Sequence, residues 1–93
     1  MKAIRWNPKK NEWLRATRGI GFELAEVKIA SGDILRVVDH PNKTRYPQQR
    51  IFVLEFSGYA FLVPFVETDE DIFLKTMIPS RQATRHYLGG GKK

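Results

Sequence analysis

An α+β fold is predicted: two N-terminal helices, a three- to four-stranded antiparallel meander and a C-terminal helix. Three observations carry it: two sets of helix-capping residues in the first third of the chain, β-type apolar runs from residue 34 onward, and a Pro-Ser helix start near the end. Asn7-Pro8 opens the first helix, because Asn caps a first turn through its side-chain oxygen and Pro suits the position just inside. This helix is expected over residues 8–18. Trp13, Leu14 and Ala16 form its narrow apolar stripe, Lys9, Lys10, Arg15 and Arg18 fill the rest, and Gly19 supplies a left-handed C-terminal cap. The second helix, residues 21–30, places Phe22, Ala25 and Ile29 at i, i+3 and i+7 with Leu24 beside them, and Ser31-Gly32-Asp33 ends it.

Strand texture follows. Residues 34–38 form a short β run, and the loop from His40 to Pro47 is bracketed by two prolines and carries no acid. Residues 51–56 and 59–66 are joined by Ser57-Gly58, the spacing of a tight hairpin. Both runs are apolar at alternate and intervening positions, as in strands covered on both faces. Thr68 to Asp71 turns the chain, residues 72–78 complete the meander, and Ser80 caps a last helix reaching about Leu88. Residues 1–88 therefore read as a single domain, followed by the flexible basic tail 89–93.

The composition fits that size. With 93 residues, 42% of them hydrophobic, the chain builds one compact core and has no room for a dinucleotide-binding fold or a barrel. There is no cysteine, which excludes disulfides, thiolate metal sites and Cys nucleophiles. The first thirteen residues are too polar for a signal peptide, and the longest apolar run, 59–66, is too short to cross a bilayer, so a cytoplasmic protein with no membrane association is expected. Net charge is +6 and the pI about 9.9. The excess is segregated: 1–18 carries +5, 40–50 carries +3 and 72–93 carries +5, separated by acidic stretches of −2 and −5. Folding that gathered the three basic segments would make a patch for a polyanion or an acidic protein.

Chemical motifs are sparse. No Gly-rich phosphate loop, no His pair at metal-ligand spacing and no Ser nucleophile elbow occurs, so neither metal nor cofactor is expected. The two histidines, His40 and His86, lie in the basic loop and the last helix. The densest polar region is the junction between last strand and last helix. There Lys75 interrupts an apolar run on the face of Phe73 and Met77, and Arg81 and Arg85 share one side of the helix that Ser80 opens. A helix N-terminus with its free N–H groups and dipole makes that junction a candidate phosphate seat. Glu55 and Glu67 interrupt apolar strands and suit an ion pair or a general base.

Read together, Ile4-Arg5-Trp6-Asn7, Lys10-Asn11, the run Arg18-Gly19-Ile20-Gly21-Phe22-Glu23 and Ile78-Pro79-Ser80-Arg81-Gln82-Ala83-Thr84 with Tyr87 behind it resemble the BrnT-type toxins of bacterial type II toxin-antitoxin modules. The likeness spans about residues 4 to 88. It implies a RelE-like ribonuclease fold, a metal-independent endoribonuclease that inhibits translation, and a cognate antitoxin of the ribbon-helix-helix type whose complex binds operator DNA. It further implies that Arg81 contacts the scissile phosphate, that Lys75 stands where the family has an arginine, and that Arg50 matches the arginine opening the hairpin. The chain departs from the family pattern at Gln48 and Gln49, where acids are common, at Arg18, where His is frequent, and at Asn7, which replaces a frequent Asp.

In such cleavage the RNA 2′-hydroxyl attacks the adjacent phosphorus, so the protein aligns the groups, offsets charge and moves protons. Arg81, Lys75 and Arg50 are expected at the phosphate, with Glu67, His40 or Tyr87 transferring protons. Two alternatives are a non-catalytic, degenerate toxin-like module that binds its antitoxin and co-regulates the operon, and a basic patch that binds nucleic acid without cutting it.

Overall fold

The computed structural model describes residues 2–89 and has three helices and a six-stranded mixed sheet. In chain order the elements are β1 (Ala3–Trp6), α1 (Pro8–Arg18), α2 (Phe22–Ser31), β2 (Arg36–Asp39), β3 (Gln49–Phe56), β4 (Tyr59–Glu67), β5 (Asp71–Leu74), β6 (Ile78–Pro79) and α3 (Arg81–Tyr87). The sheet runs β1-β5-β4-β3-β2, with β6 also on β4. Residues 90–93, most of the expected tail, lie outside the described residues.

The helices form where their caps dictate. Asn7 Oδ1 accepts the amides of Lys9 and Lys10 at 2.9 and 3.1 Å, and Gly19 adopts the left-handed conformation (φ 69°) that closes α1. The β3–β4 turn has positive φ at both Ser57 (54°) and Gly58 (82°), the twist that lets two residues join antiparallel strands.

Three features differ from the sequence expectation. First, a strand precedes α1: β1 pairs parallel with β5, Ala3 opposite Asp71 through Trp6 opposite Leu74, so the sheet is mixed rather than purely antiparallel. Second, the last expected strand, 72–78, is two short ones. Pro64 accounts for the break. Its carbonyl accepts the Lys75 amide at 2.8 Å, so its nitrogen faces the same neighbour and has no hydrogen to give there. The β5 ladder ends at Leu74, and β6 rejoins β4 only at Leu62 and Phe61. Third, Lys75 therefore lies outside any strand, and the face it was expected to share is broken: Phe73 is exposed while Met77 is fully buried.

The sheet is covered on both faces, as the unbroken apolar run of β3 requires. Toward α1 and α2, Phe52, Leu54, Val63, Phe65, Leu74 and Met77 pack with Leu14, Phe22 and Ala25, and Phe52 stacks on Phe65 at 4.0 Å between ring centroids. Toward α3, Val53 and Ala60 pack with Ala83, and Tyr87 and Leu88 lie against them. Each fully buried Leu or Phe contributes about 1.5–3 kcal/mol through removal of apolar surface from water, so the two clusters together supply the main stabilising term.

Two acids couple the helices to this frame. Glu23 is held below the usual carboxylate range by its own backbone amide and by Asn11, and Glu55 by the Gly58 amide and by Lys28. Groups with depressed folded pKa stabilise fully above their ordinary value, 4.5, and lose that contribution as pH falls through the folded value. The melting temperature is accordingly expected to fall on acidification below about pH 4.5. In thermal melts across that range the Glu23→Gln, Glu55→Gln double variant is expected to show a flatter pH dependence, and a profile as steep as the parent's would refute the assignment.

Candidate nucleic-acid interface

The basic residues of α1 line its outer side because the inner side supplies Leu14 and Asn11 to the core. On that outer side Trp13 is 45% exposed, against the expectation that it belongs to the helix's apolar stripe. The Lys10 ammonium lies 4.3 Å from the indole centroid and the Arg18 guanidinium 5.0 Å. Arg18 also donates to the Met77 carbonyl, in the segment that leads through β6 into Arg81. One hydrogen bond thus ties the end of α1 to the segment before the junction, while α1 and α3 lie over opposite faces of the sheet.

The junction itself is rigid. Ser80 N–H donates to the Ala60 carbonyl at 3.0 Å, Ser80 Oγ accepts the Ala83 amide at 3.0 Å, and Thr84 Oγ1 accepts the Ala60 amide at 2.8 Å. These bonds fix the short helix α3 on the start of β4. Arg81 and Arg85 point into solvent, whereas Tyr87 is partly buried against the Val53 and Ala60 cluster, with His86 edge-on to its ring at 4.6 Å. The Ala83 amide of the expected phosphate seat is taken by Ser80.

The third basic segment lies elsewhere. Arg50, at the start of β3, has its guanidinium 5.9 Å from the Phe65 ring, on the face that α1 and α2 cover, while α3 covers the other. It sits between Asp39 at 4.0 Å and Glu67 at 3.8 Å, and Glu67 in turn pairs with Lys2 at 2.6 Å. Glu67 and Ala60, the residue to which the junction is bonded, are seven residues apart on β4, about 23 Å along an extended strand. Lys75, exposed and 5.7 Å from the exposed Phe73 ring, lies between these levels, where its amide meets Pro64. His40 packs on Tyr46 in the β2–β3 loop, with ring centroids 4.5 Å apart.

Of the six residues expected at one phosphate, Arg50 and Glu67 meet, and Arg81 and Tyr87 share α3. The two pairs occupy opposite ends and opposite faces of the sheet. Glu55, expected as an ion-pair partner or base, is in an ion pair with Lys28 at 3.2 Å and accepts the Gly58 amide at 2.6 Å. Among the described residues no three His, Asp or Glu side chains converge to hold a metal ion, and no helix is long and apolar enough to span a membrane. Comparison with family models, with characterised proteins and with solved structures finds no match for this chain.

Sequence reasoning missed Trp13 as a surface residue. The signal was there: cations three residues before it and five after bracket it on a helix whose apolar content is otherwise thin.

Proposed function

We propose that this protein acts on RNA as the toxin of a bacterial toxin-antitoxin pair: a metal-independent, cytoplasmic endoribonuclease of RelE-like fold that inhibits translation. A ribbon-helix-helix antitoxin neutralises it, and the complex binds operator DNA. The observation that carries the reading is Trp13, exposed between Lys10 and Arg18, with Arg18 tied to the segment that leads into Arg81. An exposed cation–π contact is worth about 0.5–1 kcal/mol, whereas a base stacked on an aromatic ring is worth about 1–3 kcal/mol. The two contacts together are worth about 1–2 kcal/mol, so a stacked base competes with them on equal or better terms, and the cations it releases turn to the flanking phosphates. The ordered motifs from Ile4 to Tyr87 and the α+β architecture support the toxin assignment.

The chemistry asks little of the protein. The 2′-oxygen forms a bond to phosphorus as the P–O5′ bond breaks, the hydroxyl proton passes to a base, and the departing 5′-oxygen gains a proton. Arg81 offsets the charge added to the phosphate oxygens. Labelled RNA incubated with the purified protein in chelator is expected to yield 2′,3′-cyclic phosphate ends. Trp13→Ala is expected to weaken RNA binding about tenfold in a filter-binding or anisotropy titration, and unchanged affinity would sink the proposed interface.

The distance between Arg81 and the Arg50–Glu67 pair favours a second reading, a toxin-like module that binds without cutting. It expects salt-dependent binding with the RNA left intact, and no growth arrest on induction. Arrest reversed by co-expression of the neighbouring reading frame supports the first reading.

A further inference from the structure

The β2–β3 loop has an organisation that the proposed interface on α1 does not use. Its backbone is closed by its own hydrogen bonds: Asn42 N–H to His40 Nδ1 at 3.0 Å, Arg45 N–H to Asn42 Oδ1 at 3.1 Å, Tyr46 N–H to Asn42 O at 2.9 Å and Gln49 N–H to Tyr46 O at 3.2 Å. These bonds hold His40 against Tyr46, with the Arg45 guanidinium 5.6 Å from the Tyr46 ring. Beside this tilted aromatic pair opens a polar cleft of about 480 Å³, in the size range of small-ligand sites, lined by the cations Lys2, Lys43 and Arg50 and the acids Asp39, Glu67 and Asp69. The pair borders the cleft without lining it: cleft-lining Asp39 is bonded in the chain to His40 and cleft-lining Pro47 to Tyr46.

Of the cleft's cations Lys2 is tied to Glu67 at 2.6 Å, whereas Arg50 and Lys43 are only loosely engaged by its acids. Arg50 stands 4.0 Å from Asp39 and 3.8 Å from Glu67, well outside the roughly 2.7–2.9 Å of a charge-assisted hydrogen bond. Lys43 meets Asp39 at 3.2 Å with both side chains more than half exposed, a pair worth at most about 1 kcal/mol. A phosphate oxygen at hydrogen-bond distance therefore competes well for both. A pre-formed aromatic pair, its rings inclined by 40°, one residue from a cleft with two loosely held cations, Lys43 and Arg50, matches the two halves of a nucleotide, a flat base and an anionic phosphate.

We infer that the β2–β3 loop and its cleft form a second nucleotide site, in which a base stacks on the His40–Tyr46 pair and its phosphate sits against Lys43 and Arg50. The same chemistry is offered by a free nucleotide and by one unit of single-stranded RNA. The inference deepens the RNA reading by adding a contact remote from Trp13, and it rests on that reading for binding, not for cleavage.

The test is a titration of the isotope-labelled full chain with AMP and, separately, with oligoadenylate RNA, followed by NMR. Both Tyr46 and His40 ring signals and the loop amides are expected to shift. Saturation by oligoadenylate at concentrations where AMP is silent assigns the site to a strand, and equal response assigns it to free nucleotide. Tyr46→Ala is expected to weaken binding of the better ligand about tenfold, Tyr46→Phe to stay within about twofold, and Arg50→Ala to lower the log–log salt slope by about one. Trp13→Ala is expected to leave the loop shifts in place. Shifts confined to α1, or a folded Tyr46→Ala variant that binds like the parent, overturn the site. A silent loop with RNA still cut refutes this inference alone, whereas loop shifts with RNA uncut refute the ribonuclease reading alone.

Discussion

Replacing Asn11 by Ala is expected to lower the stability of the domain by about 3 kcal/mol, a drop of about 12–24 °C in melting temperature for a chain of this size. Asn11 is the one buried polar side chain among the described residues, 6% exposed. Its Oδ1 accepts the Phe22 amide at 2.7 Å and its Nδ2 donates to the Glu23 carboxylate at 2.7 Å. Phe22 opens α2, whose cap residue Gly21 offers no side-chain oxygen, so a residue of α1 does the capping from across the helix corner. Truncation strands a buried N–H, at about 1–3 kcal/mol, and removes a hydrogen bond to a charged group, worth about 1.5–3 kcal/mol. Gly21 keeps the corner open: a Cβ there would stand 2.6 Å from Glu23 Oε1 and 2.7 Å from Asn11 Oδ1. Asn11→Asp preserves the acceptor but sets a second carboxylate against Glu23, so it is expected to be destabilised at neutral pH and to recover partly in acid. Thermal melts of the two variants check this, and an Asn11→Ala protein that melts within a few degrees of the parent would show that the corner does not depend on these bonds.

What the sequence shows and what it hides divides along the range of the forces involved. Asn7-Pro8, Gly19 and Ser57-Gly58 act within four residues of themselves, and the elements they delimit stand where that local chemistry puts them. Strand β1 depends on a partner 68 residues away, and its own run alternates exposed Ala3 and Arg5 with half-buried Ile4 and Trp6, a weak pattern in so short and basic a segment. The break between β5 and β6 is caused by Pro64 on the neighbouring strand, so inspecting 72–78 alone does not show it. The same holds for the site. Charge segregation is visible in the sequence, but whether Arg50 meets Arg81 depends on strand register and on which face each strand turns toward α3. Asn11 stood within a motif of the resemblance, yet its burial follows only from the angle between α1 and α2.

Arg81→Ala is expected to slow single-turnover RNA cleavage about 100-fold, the usual cost of removing one donor to the charge that develops in the transition state. Arg50→Ala is expected to cost about tenfold or less, because Arg50 pairs with Phe65, five residues or about 17 Å along β4 from the Ala60 anchor of α3, and over the opposite face, which on the proposed reading puts it against the RNA chain rather than the reacting phosphate. Their separation makes a sharper demand on the double variant. Residues that grip one phosphate are strongly non-additive, since the second removal finds the transition state already lost. Residues farther apart than about 7–10 Å, with no shared partner, add in free energy, so the double variant is expected to lose the product of the two factors, about 1,000-fold. Cleavage by the double variant no slower than by Arg81→Ala would place both arginines on one phosphate and require the chain to close by a movement that brings the ends of the sheet together. Undiminished cleavage by Arg81→Ala alone would move the chemistry away from α3, toward a cleft where a cation and a carboxylate face each other, as Arg50 and Glu67 do beside the β2–β3 loop and Lys28 and Glu55 do beside α2.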